Sequence, residues 1–306
     1  MTDNLLLVAN QVIGLFILIF IGFLLGKKKL LSDISSKHLT DLVLFLATPC
    51  VIIEAFQREY NLGTLRKLSD ALITAVCIHI ASILLCHILL KKSNNSRIMK
   101  FSAIFSNCGF MAIPLQTALL GNDGAFLGAA FLAVFTLFTW TYGLVLISGK
   151  RDEIKIKSLI RNPGLIGIAI GFLLFIFQIN LSETVPVLFD SIRRIGALNT
   201  PIPMLIIGFY LSKADLRQAL RRLDSYLVLF LRLVFIPSAA LIIMKLLHVD
   251  QSITVACIAA ASAPSAALCT MFAAKYDCDT ELSVSLVSST TLMSIITMPI
   301  IISLSY

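Results

Sequence analysis

The sequence contains few charged residues for its length. Only 14% of its 306 residues are charged, whereas 58% are hydrophobic, and the mean hydropathy is +0.93. A soluble domain of this size cannot bury so much apolar surface in its core. The composition therefore excludes an ordinary water-soluble protein and predicts an integral membrane protein surrounded by the lipid bilayer.

The sequence also lacks the short motifs of common enzyme classes, namely G-x-S-x-G, H-E-x-x-H, a Walker loop and a dinucleotide fingerprint. Its seven cysteines show no C-x-x-C spacing, so neither disulfides nor a zinc site is indicated. The net charge is +8, but the basic residues are scattered among short loops, which argues against nucleic acid. We expect no catalytic residues, no metal, no cofactor and no nucleic-acid partner. The spacing of Gly22 and Gly26 is typical of packed membrane helices.

Apolar runs separated by charged or turn residues predict an all-α membrane protein with ten transmembrane helices. A span needs roughly 20 mainly apolar residues, so ten spans use nearly the whole chain. The predicted spans are 5–26, 38–57, 70–90, 101–120, 125–148, 164–180, 197–212, 226–247, 252–274 and 281–304. A polar cytoplasmic connector, 149–163, then separates an N-terminal five-helix repeat, 1–148, from a C-terminal one, 164–306.

Lys and Arg are distributed unevenly among the predicted loops. The loops after the odd-numbered spans hold 18 of the 25 basic residues, the loops after the even-numbered spans hold 6, and Arg232 lies inside span eight. Because positively charged short loops stay in the cytoplasm, both termini are expected outside it. Five spans in each half then make the two halves inverted repeats.

Prolines recur at matching places in the two halves. Thr48-Pro49 recurs as Thr200-Pro201 in the second span of each half, and Pro114 recurs as Pro264 in the fourth. Proline removes a backbone donor and clashes with the preceding turn, so spans four and nine are predicted to break or kink at these prolines. In lipid such a break is tolerated only where the freed backbone faces protein or a water-lined cavity.

The two breaks predict a substrate site near the membrane midplane, where half-helix amino ends offer N–H groups to an anion. Alternative interpretations are that the prolines merely bend packed helices, that Asn107 bonds to a neighbouring helix, and that the threonines bond to their own helices. The last of these is preferred for the two threonines. The candidate substrate-binding residues are Asn107, Gly109, Pro114, Ser262, Pro264, Ser265, Thr48 and Thr200.

Ionisable residues within the spans are few, and a structural role is favoured for each. Glu54 lies near the outer end of its span and can reach water, and Arg232 is expected to extend to the inner interface. His79 and His87 are expected to be neutral and packed, with a proton relay as the alternative. Asp70 is expected to cap the start of the third span.

Three motifs carry a resemblance to a known family: Asn107-Cys108-Gly109-Phe110 with Pro114, the stretch from Pro201 to Gly208, and Ala263-Pro264 followed by Ala273-Ala274-Lys275-Tyr276. With them the chain resembles the auxin efflux carrier family over nearly its whole length. The resemblance implies a five-plus-five inverted fold with crossing helices four and nine, and it places Asn107, Pro114 and Pro264 at the crossover where substrate binds.

The bacterial-type branch, with permeases for malate and similar carboxylates, is the more similar one, because the long central loop of many plant members is absent. This implies a place in the bacterial inner membrane. Glu54 departs from the family pattern, since an apolar residue is expected there.

The sequence thus predicts a secondary transporter that carries a small organic anion, such as a carboxylate, by alternating access at a midplane crossover. Coupling to protons or sodium ions and assembly as a homodimer are left open. One alternative is a ligand-binding membrane sensor with the same fold. The other is a ten-helix carrier of the drug and metabolite transporter type, in which helices four and nine would be continuous.

Overall fold

A computed structural model describes residues 2–90, 95–154, 156–213 and 223–306. Within these residues the regular structure is helical, and the only β-type pairing is one isolated bridge between Ser106 and Ser265. The predicted all-α fold is therefore confirmed. Some of the basic residues assigned to cytoplasmic loops lie outside the described residues: Lys91, Lys92, Lys155, Arg217, Arg221 and Arg222.

The first half of the chain forms eight α-helices and three π-helical turns. The α-helices are α1 (Thr2–Lys27), α2 (Asp33–Leu42), α3 (Thr48–Ala55), α4 (Leu62–Leu89), α5 (Ser96–Ile104), α6 (Ile113–Leu120), α7 (Asn122–Phe138) and α8 (Leu144–Ser148). The π-helical turns are Val43–Ala47, Cys108–Ala112 and Thr139–Gly143.

The second half continues with ten α-helices in the described residues. They are α9 (Ile156–Ile160), α10 (Pro163–Ile176), α11 (Leu181–Thr184), α12 (Pro186–Gly196), α13 (Pro201–Lys213), α14 (Leu223–Phe230), α15 (Ile236–Leu246), α16 (Gln251–Ser262), α17 (Leu268–Lys275) and α18 (Thr280–Ser303). A π-helical turn, Leu231–Phe235, joins α14 to α15.

Seven helical segments among the described residues are long and apolar enough to cross a membrane, with 22 to 28 residues each. They are Leu5–Lys27, Asp33–Ala55, Leu62–Leu89, Asn122–Ser148, Pro186–Lys213, Ser225–Leu246 and Thr280–Ser303. The shorter apolar helices are Cys108–Leu120, Pro163–Ile176 and Gln251–Ser262. Each of the ten predicted spans overlaps one of these segments, and three of the segments are too short to cross the bilayer without help from their neighbours.

Two helices begin earlier than the sequence predicts. The third span starts at Leu62, where the Asn61 side chain accepts a hydrogen bond from the N–H of Thr64 at 2.8 Å. The interpretation of Asp70 as the cap is therefore wrong: Asp70 lies inside α4, 4.0 Å from the Arg66 guanidinium one turn away. The seventh span begins at Pro186, because proline fits the first turn of a helix.

Widened helical turns precede three of the intramembrane prolines. The turns Val43–Ala47, Cys108–Ala112 and Leu231–Phe235 each end two residues before a proline, at Pro49, Pro114 and Pro237. A proline ring clashes with the carbonyl group one turn earlier, and a π-helical turn moves that carbonyl away from the ring. These prolines therefore bend continuous helices and do not end them.

The helices form two groups that we call the frame and the core. In the frame, α1 packs along α13, and α3 packs against α10 and α12. A side chain at Gly22 would collide with the backbone of Leu205, and one at Gly208 with the carbonyl of Ile19, so both glycines allow α1 and α13 to touch. In the core, α7 contacts α4, α6 and α16, and every residue from Gly124 to Thr136 is buried.

Candidate functional site

The fourth span is interrupted ahead of its proline. Helix α5 ends at Ile104, Phe105 is extended with φ −96° and ψ 115°, and a new helical stretch starts after Asn107. The sequence predicts a break or a kink at Pro114, and the break itself lies ahead of the proline, at residues 105–107. Pro114 lies in the first turn of α6, where the preceding π-helical turn accommodates its ring.

The ninth span is interrupted at its proline, as the sequence predicts. Helix α16 ends at Ser262, Ala263 is extended with φ −61° and ψ 150°, and α17 begins at Leu268. A residue that precedes proline is driven out of the helical region by contact with the proline ring, which explains the extended Ala263. Pro264 therefore lies within the break.

The two interruptions cross each other inside the core. The N–H of Asn107 donates to the carbonyl oxygen of Pro264 at 2.7 Å, and the N–H of Ala266 donates to that of Phe105 at 2.9 Å. These bonds make the antiparallel bridge between Ser106 and Ser265. Each break thus satisfies backbone groups of the other, as buried polar groups require where no water reaches them. We call residues 105–107 and 263–267 the crossing.

Side chains reinforce the crossing from two directions. The Ser265 hydroxyl donates to the carbonyl oxygen of Ser102 at 2.8 Å, which ties the ninth span to α5. The Ser265 N–H donates to the Thr290 hydroxyl of α18 at 3.1 Å. Ser262 is fully buried, and its hydroxyl lies 3.3 Å from the carbonyl oxygen of Ala259 in its own helix.

Asn107 is the candidate residue with the most unused hydrogen-bonding capacity. It is 7% exposed, and no hydrogen bond within the described residues involves its side-chain amide. The interpretation that Asn107 bonds to a neighbouring helix holds only for its backbone N–H, which donates to Pro264, and not for its side chain. Gly109 and Pro114 follow it on the same half-helix and are partly exposed. Asn107, Ser262, Pro264 and Ser265 are therefore brought together at the crossing, and Gly109 and Pro114 lie further along the half-helix that follows Asn107.

Thr48 and Thr200 lie in the frame. The Thr48 hydroxyl donates to the side-chain oxygen of Asn199 at 2.8 Å, so the preferred interpretation that it bonds to its own helix is wrong. Thr200 is the residue before Pro201 and is partly exposed. Asn199 escaped sequence reasoning, although it directly precedes the Thr-Pro pair. It is 1% exposed, and its side-chain nitrogen has no partner in the described part of the chain.

Arg232 does not extend to the inner interface as expected. It is 1% exposed, and its guanidinium donates to the carbonyl oxygens of Ala103 at 3.1 Å, Ile104 at 2.9 Å and Ala261. Those residues end α5 and α16, the two half-helices that lead into the crossing. The side chain therefore turns inward, where the carbonyl groups at the two helix ends accept its hydrogen bonds.

The other ionisable residues of the spans are packed or paired. His79 is buried, with its Nδ1 atom 2.8 Å from the carbonyl oxygen of Ala75 and its ring stacked on Phe138. The Nε2 atom of His87 lies 2.6 Å from the Tyr142 hydroxyl. Glu54 does not stand alone at the outer end of its span, since its carboxylate lies 3.5 Å from the Arg193 guanidinium.

Comparison with known proteins identifies the family of the chain. The profile of the family described as membrane transport protein matches residues 7–302. The chain belongs to this family. It is the auxin efflux carrier-like membrane transport family, so the resemblance drawn from the crossing motifs is confirmed.

Two curated relatives align with nearly the full length of the chain. It is 20% identical over 298 residues to an uncharacterized transporter of Methanocaldococcus jannaschii, covering 94% of this chain and 95% of the relative. It is 24% identical over 305 residues to an uncharacterized transporter of Methanothermobacter thermautotrophicus, covering 95% and 96%. The protein is thus an integral membrane protein of a transporter family.

Proposed function

We propose that the protein is a secondary transporter for a small organic anion such as a carboxylate, which binds at the crossing. The observation that carries this proposal is the pair of backbone hydrogen bonds between the breaks, from Asn107 to Pro264 and from Ala266 to Phe105. Crossed, broken helices bring helix ends into the interior of the core, where an intact helix offers no backbone N–H or C=O group to a solute. The interruption also argues against a carrier with continuous fourth and ninth helices.

The charge around the crossing favours an anion. The helix that starts at Cys108 and helix α17 present their amino ends there, and such ends carry positive dipole charge. Among the buried side chains of the described residues there is no Asp or Glu. A cationic solute would therefore lack a counter-charge, whereas a carboxylate would meet N–H donors and the unused amide of Asn107.

The division into frame and core supports alternating access. The crossing and the helices around it belong to the core, whereas the frame holds the pair α1 and α13 and the pair α3 and α10, which also contact α7 and α18. We propose that the ten spans form two inverted repeats, with both termini outside the cytoplasm, and that the core moves against the frame. Access of an impermeant protease to a tag after Tyr306 in intact cells tests this orientation, since the tag is cleaved only if the C-terminus lies outside.

Uptake by purified protein in liposomes tests the function. Labelled malate is offered with imposed proton and sodium gradients, and protein-free liposomes are the control. We expect malate to accumulate inside, and the gradient that raises the rate identifies the coupling ion. A ligand-binding sensor would instead bind malate without accumulation. Absence of uptake for malate, succinate and acetate under every gradient would contradict an organic-anion carrier.

A further inference from the structure

Arg232 joins the carboxyl ends of both interrupted helices. Its two terminal nitrogens donate to Ala103 and Ile104 at the end of α5 and to Ala261 at the end of α16. The last carbonyl groups of a helix have no partner within that helix, so one guanidinium satisfies groups from both. The residue reaches them from a third element, the π-helical turn Leu231–Phe235.

No carboxylate balances the charge of Arg232. It is the only Lys, Arg, Asp or Glu among the buried side chains of the described residues. Every ion pair found within them involves other residues. Its Nε atom is buried without a hydrogen-bond partner in the same part of the chain. The compensation of this charge must therefore come from the carbonyl ends alone.

The charges at the crossing can be added from the helix dipoles. Each helix carries about half a negative unit at its carboxyl end and about half a positive unit at its amino end. Four helix ends meet here, two carboxyl and two amino, so without a side-chain charge they would sum to roughly zero. One guanidinium balances the two carboxyl ends, which leaves the two amino ends with an excess of about one positive unit.

We propose that Arg232 is the residue that makes the crossing selective for anions, by neutralising the carboxyl ends of α5 and α16. This inference rests on the proposed transport function and specifies the charge of its substrate. Arg232 acts through the two helices and is a positioning residue. Gly109, Phe110, Ala267 and Leu268, at the amino ends, are partly exposed, whereas Arg232 and its three acceptors are buried. The amino ends are therefore more exposed than the guanidinium, as a solute that binds at the positive side of the crossing requires.

Three variants separate charge from hydrogen bonding. Arg232→Lys keeps the charge and loses the planar fork, Arg232→Gln keeps a donor and loses the charge, and Arg66→Gln removes a charge from an 85% exposed side chain as the matched control. Uptake of labelled malate and of its neutral diamide is compared in liposomes. The midpoint of thermal unfolding in detergent is measured with and without malate.

We expect Arg232→Gln to lower the malate-to-diamide uptake ratio at least tenfold, which corresponds to about 1.4 kcal/mol. The same variant should abolish the rise in the midpoint of thermal unfolding that malate causes in the wild type. Arg232→Lys should keep the ratio within about threefold of wild type despite a lower midpoint, and Arg66→Gln should match wild type. A wild-type ratio in Arg232→Gln would overturn the proposal. A fall of the malate-to-diamide uptake ratio in Arg232→Lys would also overturn it, because this variant keeps the charge. If Arg232→Gln does not fold, the Arg232→Lys result alone tests the proposal.

Failure of the proposed function gives a different result. If wild-type protein neither takes up malate nor is stabilised by it, the anion substrate is rejected and so is the selectivity of Arg232. If the midpoint of thermal unfolding is then lowered in Arg232→Gln and not in Arg66→Gln, the role that remains for Arg232 is structural: it holds the two helix ends together. If the wild type transports malate and Arg232→Gln is unchanged, transport stands and the inference about Arg232 falls.

Discussion

The backbone N–H of Asn107 lies 2.7 Å from the carbonyl oxygen of Pro264, so two segments from opposite halves of the chain pair as a single antiparallel bridge. Such pairing inside an otherwise helical membrane protein gives each broken helix the hydrogen bonds that lipid cannot supply. The crossing is thus a stable element of the fold as well as the candidate site.

The bridge predicts a cross-link between its two central residues. Residues directly opposite in an antiparallel pair have Cβ atoms about 4.5–5.5 Å apart, close to the separation that a disulfide spans. In protein whose native cysteines are replaced, Ser106→Cys with Ser265→Cys should form a disulfide on oxidation. A mobility shift after cleavage between the halves, reversed by reductant, detects it. Ser106→Cys with Ser294→Cys, which lies further along α18, should not cross-link, and equal yields in both pairs would contradict the bridge.

The buried bond between Thr48 and Asn199 predicts a coupled loss of stability. Thr48→Val preserves side-chain shape and removes the donor, so the Asn199 oxygen loses its 2.8 Å partner. We expect a cost of about 1–3 kcal/mol, seen as a lower thermal midpoint, because a buried polar group is left unpaired. Thr74→Val is the control, since that hydroxyl bonds within its own exposed helix. Additive effects of Thr48→Val and Asn199→Leu in the double variant would show that the bond contributes nothing.

The close contact at Gly22 predicts that a glycine-to-alanine substitution has opposite effects on stability at two positions of α1, Gly22 and Gly14. A methyl group at Gly22 would meet the Leu205 carbonyl, whereas one at Gly14 would meet nothing within 4 Å. Gly14→Ala should leave the thermal midpoint unchanged or raise it, since alanine is the better helix former by about 1 kcal/mol. Gly22→Ala should lower it by forcing α1 and α13 apart. Equal midpoints for the two variants would be incompatible with this packing.

Asp250 predicts a pH-dependent contribution at the start of α16. Its carboxylate accepts hydrogen bonds from the Ser252 hydroxyl and from the N–H groups of Ser252 and Ile253, and these bonds, the hydroxyl first, lower its pKa below the ordinary 3.8. A lowered folded pKa gives stability that is complete above 3.8 and is lost as the pH falls through the folded pKa.

Asp250→Asn keeps a capping oxygen and loses the charge, so it should be less stable than wild type at pH 7, and the difference should shrink as the pH falls through the folded pKa. Asp250→Ala also loses the cap, at a cost of about 0.5–2 kcal/mol. Thermal midpoints across this pH range measure both effects. A difference between wild type and Asp250→Asn that does not shrink in acid would show that the carboxylate charge is not responsible.

The sequence was sufficient to predict the helical membrane fold and the region of the crossing. The amide, the glycine and the proline at Asn107, Gly109 and Pro264 mark it because such residues are unfavourable in a packed lipid-facing helix. The position of the first break was not predictable from Pro114. A π-helical turn absorbs that proline, and the extended Phe105 is fixed by pairing with Ala266, which lies in the other half of the chain.

Contacts that form only in the folded chain explain why the sequence predicts the wrong place for Arg232 and does not single out Asn199. An arginine one and a half turns inside a span reaches the interface by default. Here the carbonyl ends of α5 and α16 lie within its reach, and only the folded arrangement brings them together. Asn199 resembles an ordinary loop residue until Thr48 is placed against it. Helix starts at Leu62 and Pro186 were missed because their first turns are polar or amphipathic, and a hydropathy criterion excludes them.

The transport role of the crossing is tested most directly by the initial rate of malate uptake in liposomes, at equal amounts of folded protein, for Asn107→Ala and Pro264→Ala. The matched controls are Asn122→Ala and Pro186→Ala, which change the same residue types at exposed helix starts. We predict that the two crossing variants fall to the rate of protein-free liposomes while both controls keep the wild-type rate. Wild-type uptake by Asn107→Ala and Pro264→Ala would contradict the account.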